Sequence, residues 1–488
     1  MRKPSSKLHQ LLLSLSKEEK KRVTLHIQKL GKKGAKHLHL FQLLAKKGVY
    51  DEKTLKKLFK GSALSLEKKR LYQLVLEALV QLHQEANIHQ QLLAGLQRFH
   101  VLYDKELYEQ AQAVLVYLKE LAEQQEASYY IQLINEQLIQ LENKVYFFSQ
   151  HTEASYQSLM DNMLLEQQQA AHLSNYILLK SQIHFLFRKK KLSSEALHQM
   201  QQLMQQDLLQ AFDTNNTITA HLHFLQIHGT YQFLQTNFSQ SLHYALQALE
   251  LFEQHFKAIR KPEEYMDYLQ NVFTSAQYCQ EHTLVAEILE KIERNNSKIQ
   301  VKRERYTLRT LEMKANWFLS IQEYKQGWQL IQQNRAWLEQ STLDTSAIYY
   351  CFVFIAFLTE KYEEAFHFIE LVLDKASKQP KLRHAALLLK LCLYWDMEQY
   401  SLLESHIRSI YRKFNLEKEE HRLELLLVHS FKQLLQAPDD KAALVILLEL
   451  KTQLNNFQEE AQHTELRILQ MSGILLWLEH KKPKEEIL

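Results

Sequence analysis

One spacing is stamped three times on the C-terminal half of the chain. Tyr324, Tyr362 and Tyr400 follow one another at intervals of 38 residues, and so do Ile331, Ile369 and Ile407. Each tyrosine is followed three residues on by Gly327, Ala365 or Leu403 and seven on by its isoleucine, positions that share one face of a helix. A fixed period near 40 residues points to stacked helix pairs, none of which can bury its apolar face alone.

The same face recurs outside the three tyrosine units. An anchor, a small or apolar residue three on and an apolar residue seven on are found from Tyr108, Thr152, Ser193, Phe238, His282 and Asp440 as well, which makes nine units. Each has room for two helices of about 16 to 20 residues joined by a short turn. Composition agrees: only 8 Gly and 5 Pro occur among 488 residues, too few for sheets with tight hairpins or for phosphate-cradling loops. Pro262, Pro380 and Pro438 all fall between expected helices, where a missing N–H costs nothing. The expected fold class is all-α, a right-handed α-solenoid of about nine helix pairs behind a small basic helical N-terminal module.

The N-terminal module is set apart by charge. Residues 1–70 hold 20 Lys and Arg against five acids, a balance of +15, so the chain's net +4 leaves −11 for the remainder. Ser16 with Glu19 forms a capping-box pattern that opens a helix running to about Leu30. A Gly31–Gly34 turn, a helix over about 36–47 and another over about 51–60 complete a helix-turn-helix outline. A long amphipathic helix is expected from 66 to about 99. The domain reading is 1–62 for the basic module, 63–457 for the array, and 458–488 for a capping helix, about 458–479, with a tail.

The pattern resembles the tetratricopeptide-repeat superfamily over about residues 95–455. Tyr362, Ala365 and Ile369 match the aromatic, small and large residues of that motif's second helix, as Phe238, Ser241, Ala245 and Ala248 also do. The period is longer than the motif's 34 residues, and the first-helix Trp and Leu-Gly are mostly missing. The resemblance implies that first helices present residues to a protein or peptide partner. Aligning on the motif puts Arg309, Glu312 and Asn316 on that surface, then Ala347, Tyr350 and Phe354, then Ala385, Leu388 and Cys392. The groove expected from Arg309, Glu312, Asn316, Tyr350 and Phe354 departs from the Lys/Asn carboxylate clamp of chaperone-binding repeats and turns apolar toward the C-terminal end. The stretch Ser14 to Lys21 also resembles the start of uncharacterised helical-repeat proteins of Bacteroidota type, so a bacterial source is expected.

Signatures of chemistry are missing. The sequence has no GxxxxGK, GxGxxG, GxSxG or HExxH. His221 and His228 share a helix face, but no carboxylate or thiol completes a metal set. The aromatics Tyr349, Tyr350, Phe352, Phe354, Phe357, Phe366 and Phe368 occupy both faces of one helix pair and read as core. Cys279, Cys351 and Cys392 lie in apolar segments without metal or disulfide spacing, which fits a reducing, cytoplasmic setting. The longest apolar run, Ala347 to Leu358, is too short to span a bilayer. No catalytic, cofactor or metal residue is assigned. The expected function is a non-enzymatic scaffold or adaptor that grips a protein or peptide, with the basic module as a second contact. The alternative is a DNA- or RNA-associated regulator in which Lys32, Lys33, Lys36, Lys53, Lys56, Lys57 and Lys60 meet phosphates.

Overall fold

The computed structural model describes residues 7–31, 34–45, 63–83, 88–145, 153–188, 194–257, 262–299, 303–376, 379–414, 421–460 and 463–480. Every long regular element among them is an α-helix, so the all-α helical-repeat class holds. The chain divides into two compact units, residues 1–170 and 171–488.

The first unit opens with α1 (Lys7–Ser14), α2 (Lys17–Gln28), α3 (Ala35–Ala45) and α4 (Ala63–His83). The capping box forms as its residues dictate: Ser16 accepts from the Glu19 amide at 3.2 Å, and the Glu19 carboxylate accepts from the Ser16 amide at 2.7 Å. Leu12, Val23, Ile27, Leu40, Leu71 and Val75 are fully buried and make a core of their own. His37 lies 2.8 Å from Glu67 and ties α3 to α4. The helix expected over about 51–60 lies outside the described residues, as do Lys32, Lys33, Lys53, Lys56, Lys57 and Lys60. Of the long helix expected from 66 to 99, residues 66–83 lie in α4 and residues 88–99 in α5 (Ile88–Asp104), while 84–87 lie outside the described residues. Then come α6 (Tyr108–Gln124) and α7 (Ser128–Val145), whose core with α5 is built on Leu92, Phe99, Leu115 and Ile134.

Next, α8 (Glu153–Arg188) runs unbroken for 36 residues and crosses the division between the units. Two shorter helices are expected here. Its sequence holds no Gly or Pro and is rich in Leu, Gln and Ala, so nothing makes a turn cheaper than continued helix. In its N-terminal half Glu166 accepts from Asn135 and pairs with Lys119 at 3.3 Å.

The second unit continues with α9 (Ser194–Met204), the short α10 (Asp207–Gln210), α11 (Ile218–Leu234), α12 (Phe238–His255), α13 (Pro262–Tyr278), α14 (His282–Asn296), α15 (Arg303–Ser320) and α16 (Tyr324–Gln340). It ends with α17 (Ser346–Leu358), α18 (Tyr362–Lys375), α19 (Pro380–Asp396), α20 (Tyr400–Phe414), α21 (Arg422–Leu435), α22 (Asp440–Glu460), α23 (His463–Ser472) and α24 (Ile474–His480). Seven of the nine anchors, at 108, 238, 282, 324, 362, 400 and 440, are the first residue of a helix. Thr152 and Ser193 lie outside the described residues.

One turn is reused before six of those anchors. The residue two before the anchor has φ between 54° and 61°: Glu106, Thr236, Gln280, Gln322, Glu360 and Glu398. The next residue donates its amide five back to the preceding helix, as in Lys361 to Ala356 at 2.8 Å and Gln399 to Tyr394 at 3.0 Å. The left-handed residue itself donates three back, as in Glu360 to Phe357 at 2.9 Å. This Schellman pair satisfies carbonyls that a helix end would leave orphaned. The anchor ring then clasps the ring five residues earlier: Tyr103 with Tyr108, Phe233 with Phe238, Phe357 with Tyr362 and Trp395 with Tyr400, at centroid distances of 5.3 to 5.8 Å. Three residues beyond the anchor the chain is buried, and the neighbour that meets Gly327 is a residue of the following pair. At Gly327 an added Cβ would sit 3.0 Å from Ile355, so close approach is what the small residue provides.

In α17 both faces are covered: Ile348, Phe352, Val353, Ile355 and Ala356 are fully buried, and Phe368 stacks on Tyr349 at 5.9 Å. The aromatic crowd is core, as its helical spacing suggests. Farther on, Glu424 is buried on α21 with its carboxylate 2.5 Å from His384 of α19 and 3.6 Å from His421. Burial works to raise that carboxyl, but the His384 hydrogen bond and charge outweigh it and hold it below the usual range.

Two outcomes are expected. Gln322→Gly and Glu398→Gly each relieve a left-handed residue that carries a Cβ and stabilise the fold by about 0.5–1 kcal/mol, read as a raised urea midpoint; a lowered midpoint would mean the turn is not formed. Because the folded Glu424 carboxyl sits below its unfolded value, its stabilising contribution is present above pH of about 4.5 and is lost as pH falls through the lower folded value. Glu424→Gln therefore flattens the acid limb of the stability profile, measured by urea melts at a series of pH values.

Candidate functional site

Counting back from each anchor gives three positions on the preceding helix, at minus 15, 12 and 8, that fall on one face. In the second unit they read His223, Gln226 and Thr230 on α11; Asp267, Gln270 and Thr274 on α13; and Arg309, Glu312 and Asn316 on α15. All nine are half-buried or exposed. On α17 and α19 the same positions become Ala347, Tyr350 and Phe354, then Ala385, Leu388 and Cys392. The row is polar over three helices and apolar over two.

Three adjoining cavities follow the row. The first, about 290 Å³, is lined by His184, Gln226, Thr230, Tyr244, Asn271 and Arg309 among others. The second, about 420 Å³, shares Thr274 and Arg309 with it and adds Gln277, Tyr278, Glu312 and Asn316. The third, about 520 Å³, shares Asn316 and is walled by Leu319, Tyr350, Cys351 and Phe354. The shared residues set these cavities side by side along one groove-like row.

Sequence reasoning places Arg309, Glu312, Asn316, Tyr350 and Phe354 on one surface, and the structure brings all five to this groove. Arg309 lies 3.7 Å from Glu312. Burial pushes the Glu312 carboxyl up, and Arg309 offsets part of that shift. Asn316 donates to the Glu312 carbonyl at 2.9 Å and accepts from the Cys351 thiol at 3.4 Å. Burial, reinforced by Glu312, pushes that thiol up to about 12, so it is no nucleophile. Gln226 and Thr274 stand at the same offsets from Phe238 and His282 as Glu312 and Asn316 do from Tyr324, whereas Asn271 falls outside that register. The eight-residue offset places Thr230, Thr274 and Asn316 in line.

At the polar end, Lys180 of α8 donates to Gln226 at 2.5 Å and lies 3.5 Å from His223. Burial pulls this ammonium below its ordinary range, while Asp267 and Glu264 pull it back. His221 stacks on Phe212 at 4.2 Å and His228 lies 3.1 Å from the Leu209 carbonyl. Burial lowers both imidazoles, so the pair that shared a face in the sequence is engaged in packing. Among the described residues no group of three or more His, Cys, Asp or Glu comes together to hold a metal ion.

The apolar end is not an open surface. The single capping helix expected over about 458–479 is broken at Gly473, whose φ of +66° turns α23 into α24. There the backbone presses on Phe354 so closely that a Cβ would overlap the ring. Tyr350 donates its hydroxyl to the Met471 carbonyl at 2.6 Å. Trp477 donates its indole N–H to Asp396 at 3.0 Å and stacks on Phe431 at 5.7 Å. Ala385, Leu388 and Cys392 are thereby fully buried, and α23 packs directly on α19. The C-terminal helices fill the apolar half of the row.

Of the basic patch, Lys36 is described, and it is exposed at the start of α3, near exposed Lys17, Lys21 and Arg22 of α2 and Lys29 just after it in sequence.

These features define an all-α helical-repeat protein with a groove along its first helices. No family model matches the chain, and no curated protein matches it. Among solved structures it is similar to the apo form of RapI, at 12% identity and a TM-score of 0.43, over 81% of this chain and 99% of that one. The helical-repeat assignment rests on the chain's own recurring turn and register. No described helix is long and apolar enough to cross a membrane.

Proposed function

We propose that this protein is a non-enzymatic scaffold or adaptor of TPR-like type, working in the cytoplasm, whose groove over α11, α13, α15 and α17 holds an extended peptide segment of a protein partner. The observation that carries this reading is the switch in the first-helix row. Its apolar half is covered by the chain's own C-terminal helices, while its polar half, with Gln226, Thr274, Arg309 and Asn316, is left uncovered along adjoining cavities that Asn271 also lines. Amides and hydroxyls that both donate and accept suit the alternating N–H and C=O groups of an extended main chain. The Arg309 guanidinium adds a fixed charge that selects among peptides.

Selection of a random peptide library on the purified full chain tests this. Peptides of shared pattern are expected to bind, and Asn271→Ala and Asn316→Ala are each expected to weaken the selected peptide by about three- to tenfold, the worth of one or two hydrogen bonds. Binding untouched by either substitution would move the site elsewhere.

The basic N-terminal module supports a second contact, with an anionic partner. Its +15 balance over residues 1–70 and the exposure of Lys17, Lys21, Arg22, Lys29 and Lys36 favour nucleic acid as that partner. Duplex DNA and RNA should bind the full chain with an affinity that falls steeply between about 50 and 200 mM salt. Absence of binding at the lower salt would remove nucleic acid from the reading.

A further inference from the structure

The second cavity brings two opposite charges together on one helix. Arg309 and Glu312 stand one turn apart on α15 and both line it, with their nearest side-chain atoms 3.7 Å from each other, too far for a hydrogen bond. Their depths differ: the Arg309 side chain is 57% exposed and stands at the rim, while that of Glu312 is 17% exposed and lies deeper. Phe273 and Met313, both buried, supply apolar lining, and Tyr278 stands with them, stacked on Phe238 at 4.6 Å. The space, about 420 Å³, is ample for one side chain of a bound peptide.

Neighbouring Asn316 and Thr274 use part of their hydrogen-bonding capacity within the chain. Asn316 donates to the Glu312 carbonyl and accepts from the Cys351 thiol, and Thr274 donates to the Gln270 carbonyl at 2.8 Å. Asp344, whose carboxylate accepts from Ser346 and Gln379, adds a second negative charge to the surroundings of Glu312. Among the described residues no donor comes within hydrogen-bond reach of the Glu312 carboxylate, and no carboxylate comes within hydrogen-bond reach of Arg309. A carboxylate this deep without a hydrogen bond carries an uncompensated desolvation cost. A ligand group that brings an N–H to Glu312 and an acceptor to Arg309 satisfies both.

Charge and geometry together select that group. A cationic side chain gains from Glu312 but meets Arg309 as a like charge, an anionic one gains from Arg309 but meets Glu312, and an apolar one leaves both without a partner. A main-chain peptide unit is neutral and holds a donor and an acceptor, but its trans N–H and C=O point in opposite directions, so one unit does not serve two groups 3.7 Å apart on one helix. A primary carboxamide carries its oxygen and its NH2 side by side. We propose that the second cavity is a specificity pocket for the carboxamide side chain of a Gln or Asn in the bound peptide, its oxygen accepting from Arg309 and its NH2 donating to Glu312. The inference rests on the groove reading above and adds the class of residue that the groove selects.

The test uses the full chain and the random peptide library. Selected peptides are expected to share one position held by Gln or Asn. A selected peptide remade with the matching carboxylate there (Glu or Asp), or with an apolar residue of similar size (Met or Leu), is expected to bind at least about tenfold more weakly. Two variants of the protein carry opposite expectations: Glu312→Gln shifts the preference toward the carboxylate peptide, and Arg309→Gln shifts it toward a peptide with Lys at that position. A merely structural role would weaken every peptide alike. Glu312→Gln exchanges a buried charge for a neutral group of the same size, and Arg309 is mostly exposed, so both variants are expected to keep the wild-type Tm; where one lowers it, the other is read in its place. Selected peptides without a shared carboxamide, or a preference that neither substitution moves, overturn the inference while leaving the groove reading intact. A library from which nothing is enriched overturns both.

Discussion

The turn before each second helix is the constraint on which the rest depends. Three residues separate the helices of each such pair, and the middle one enters the left-handed region. That leaves little freedom in the angle between the helices, and the ring clasp across the turn removes more. The residue three beyond the anchor is buried and is Ala, Ser or Gly in several units, and at Gly327 what it meets so closely is Ile355, on the first helix of the next pair. The side chains left over on the first helix must then point either to a neighbouring pair or to the groove. The register of the groove residues is therefore a consequence of a backbone turn eight residues away.

The turn also explains a puzzle of composition. A motif that favours glycine recurs in a chain with only 8 glycines, and the left-handed positions are filled by Glu, Gln and Thr. Each such residue stores about 1–2 kcal/mol of steric cost relative to an unstrained one. Glycine would relieve it but would also loosen the unfolded chain and weaken the ends of the flanking helices. Polar residues with long side chains keep the helices intact up to the turn, and the two Schellman hydrogen bonds with the aromatic clasp offset the strain.

Much of the fold was written in the sequence because it follows from local spacing. The three tyrosines located not just a repeat but the first residue of α16, α18 and α20, and the Ser16–Glu19 capping box placed the start of α2. What escaped were features set by tertiary context. No residue marks the absence of a break in α8, where ordinary helix-forming residues simply continue. Gly473 was visible as a glycine near the C-terminus, but its role comes from Phe354, more than a hundred residues away in sequence. The groove was legible in part for the same reason. Arg309, Glu312 and Asn316 share a helix face that spacing alone defines, whereas the covering of Ala385, Leu388 and Cys392 depends on where the last two helices return.

That return decides what kind of surface is left for a partner. Had the C-terminal helices stopped at α22, the row from Tyr350 to Cys392 would be an apolar strip, and an amphipathic helix would be its natural occupant. Because α23 and α24 lie there, with Trp477 tied to Asp396 and Tyr350 tied to Met471, the strip is spent within the molecule. The remaining groove carries amides, hydroxyls and the paired Arg309 guanidinium and Glu312 carboxylate, which recognise a main chain and a charge pattern more readily than a greasy face. Selectivity must then come from the few places where polar and apolar walls meet, and the cavity between Asn316 and Phe354 is such a place: the chain's own terminus has converted an indiscriminate apolar surface into a shaped one.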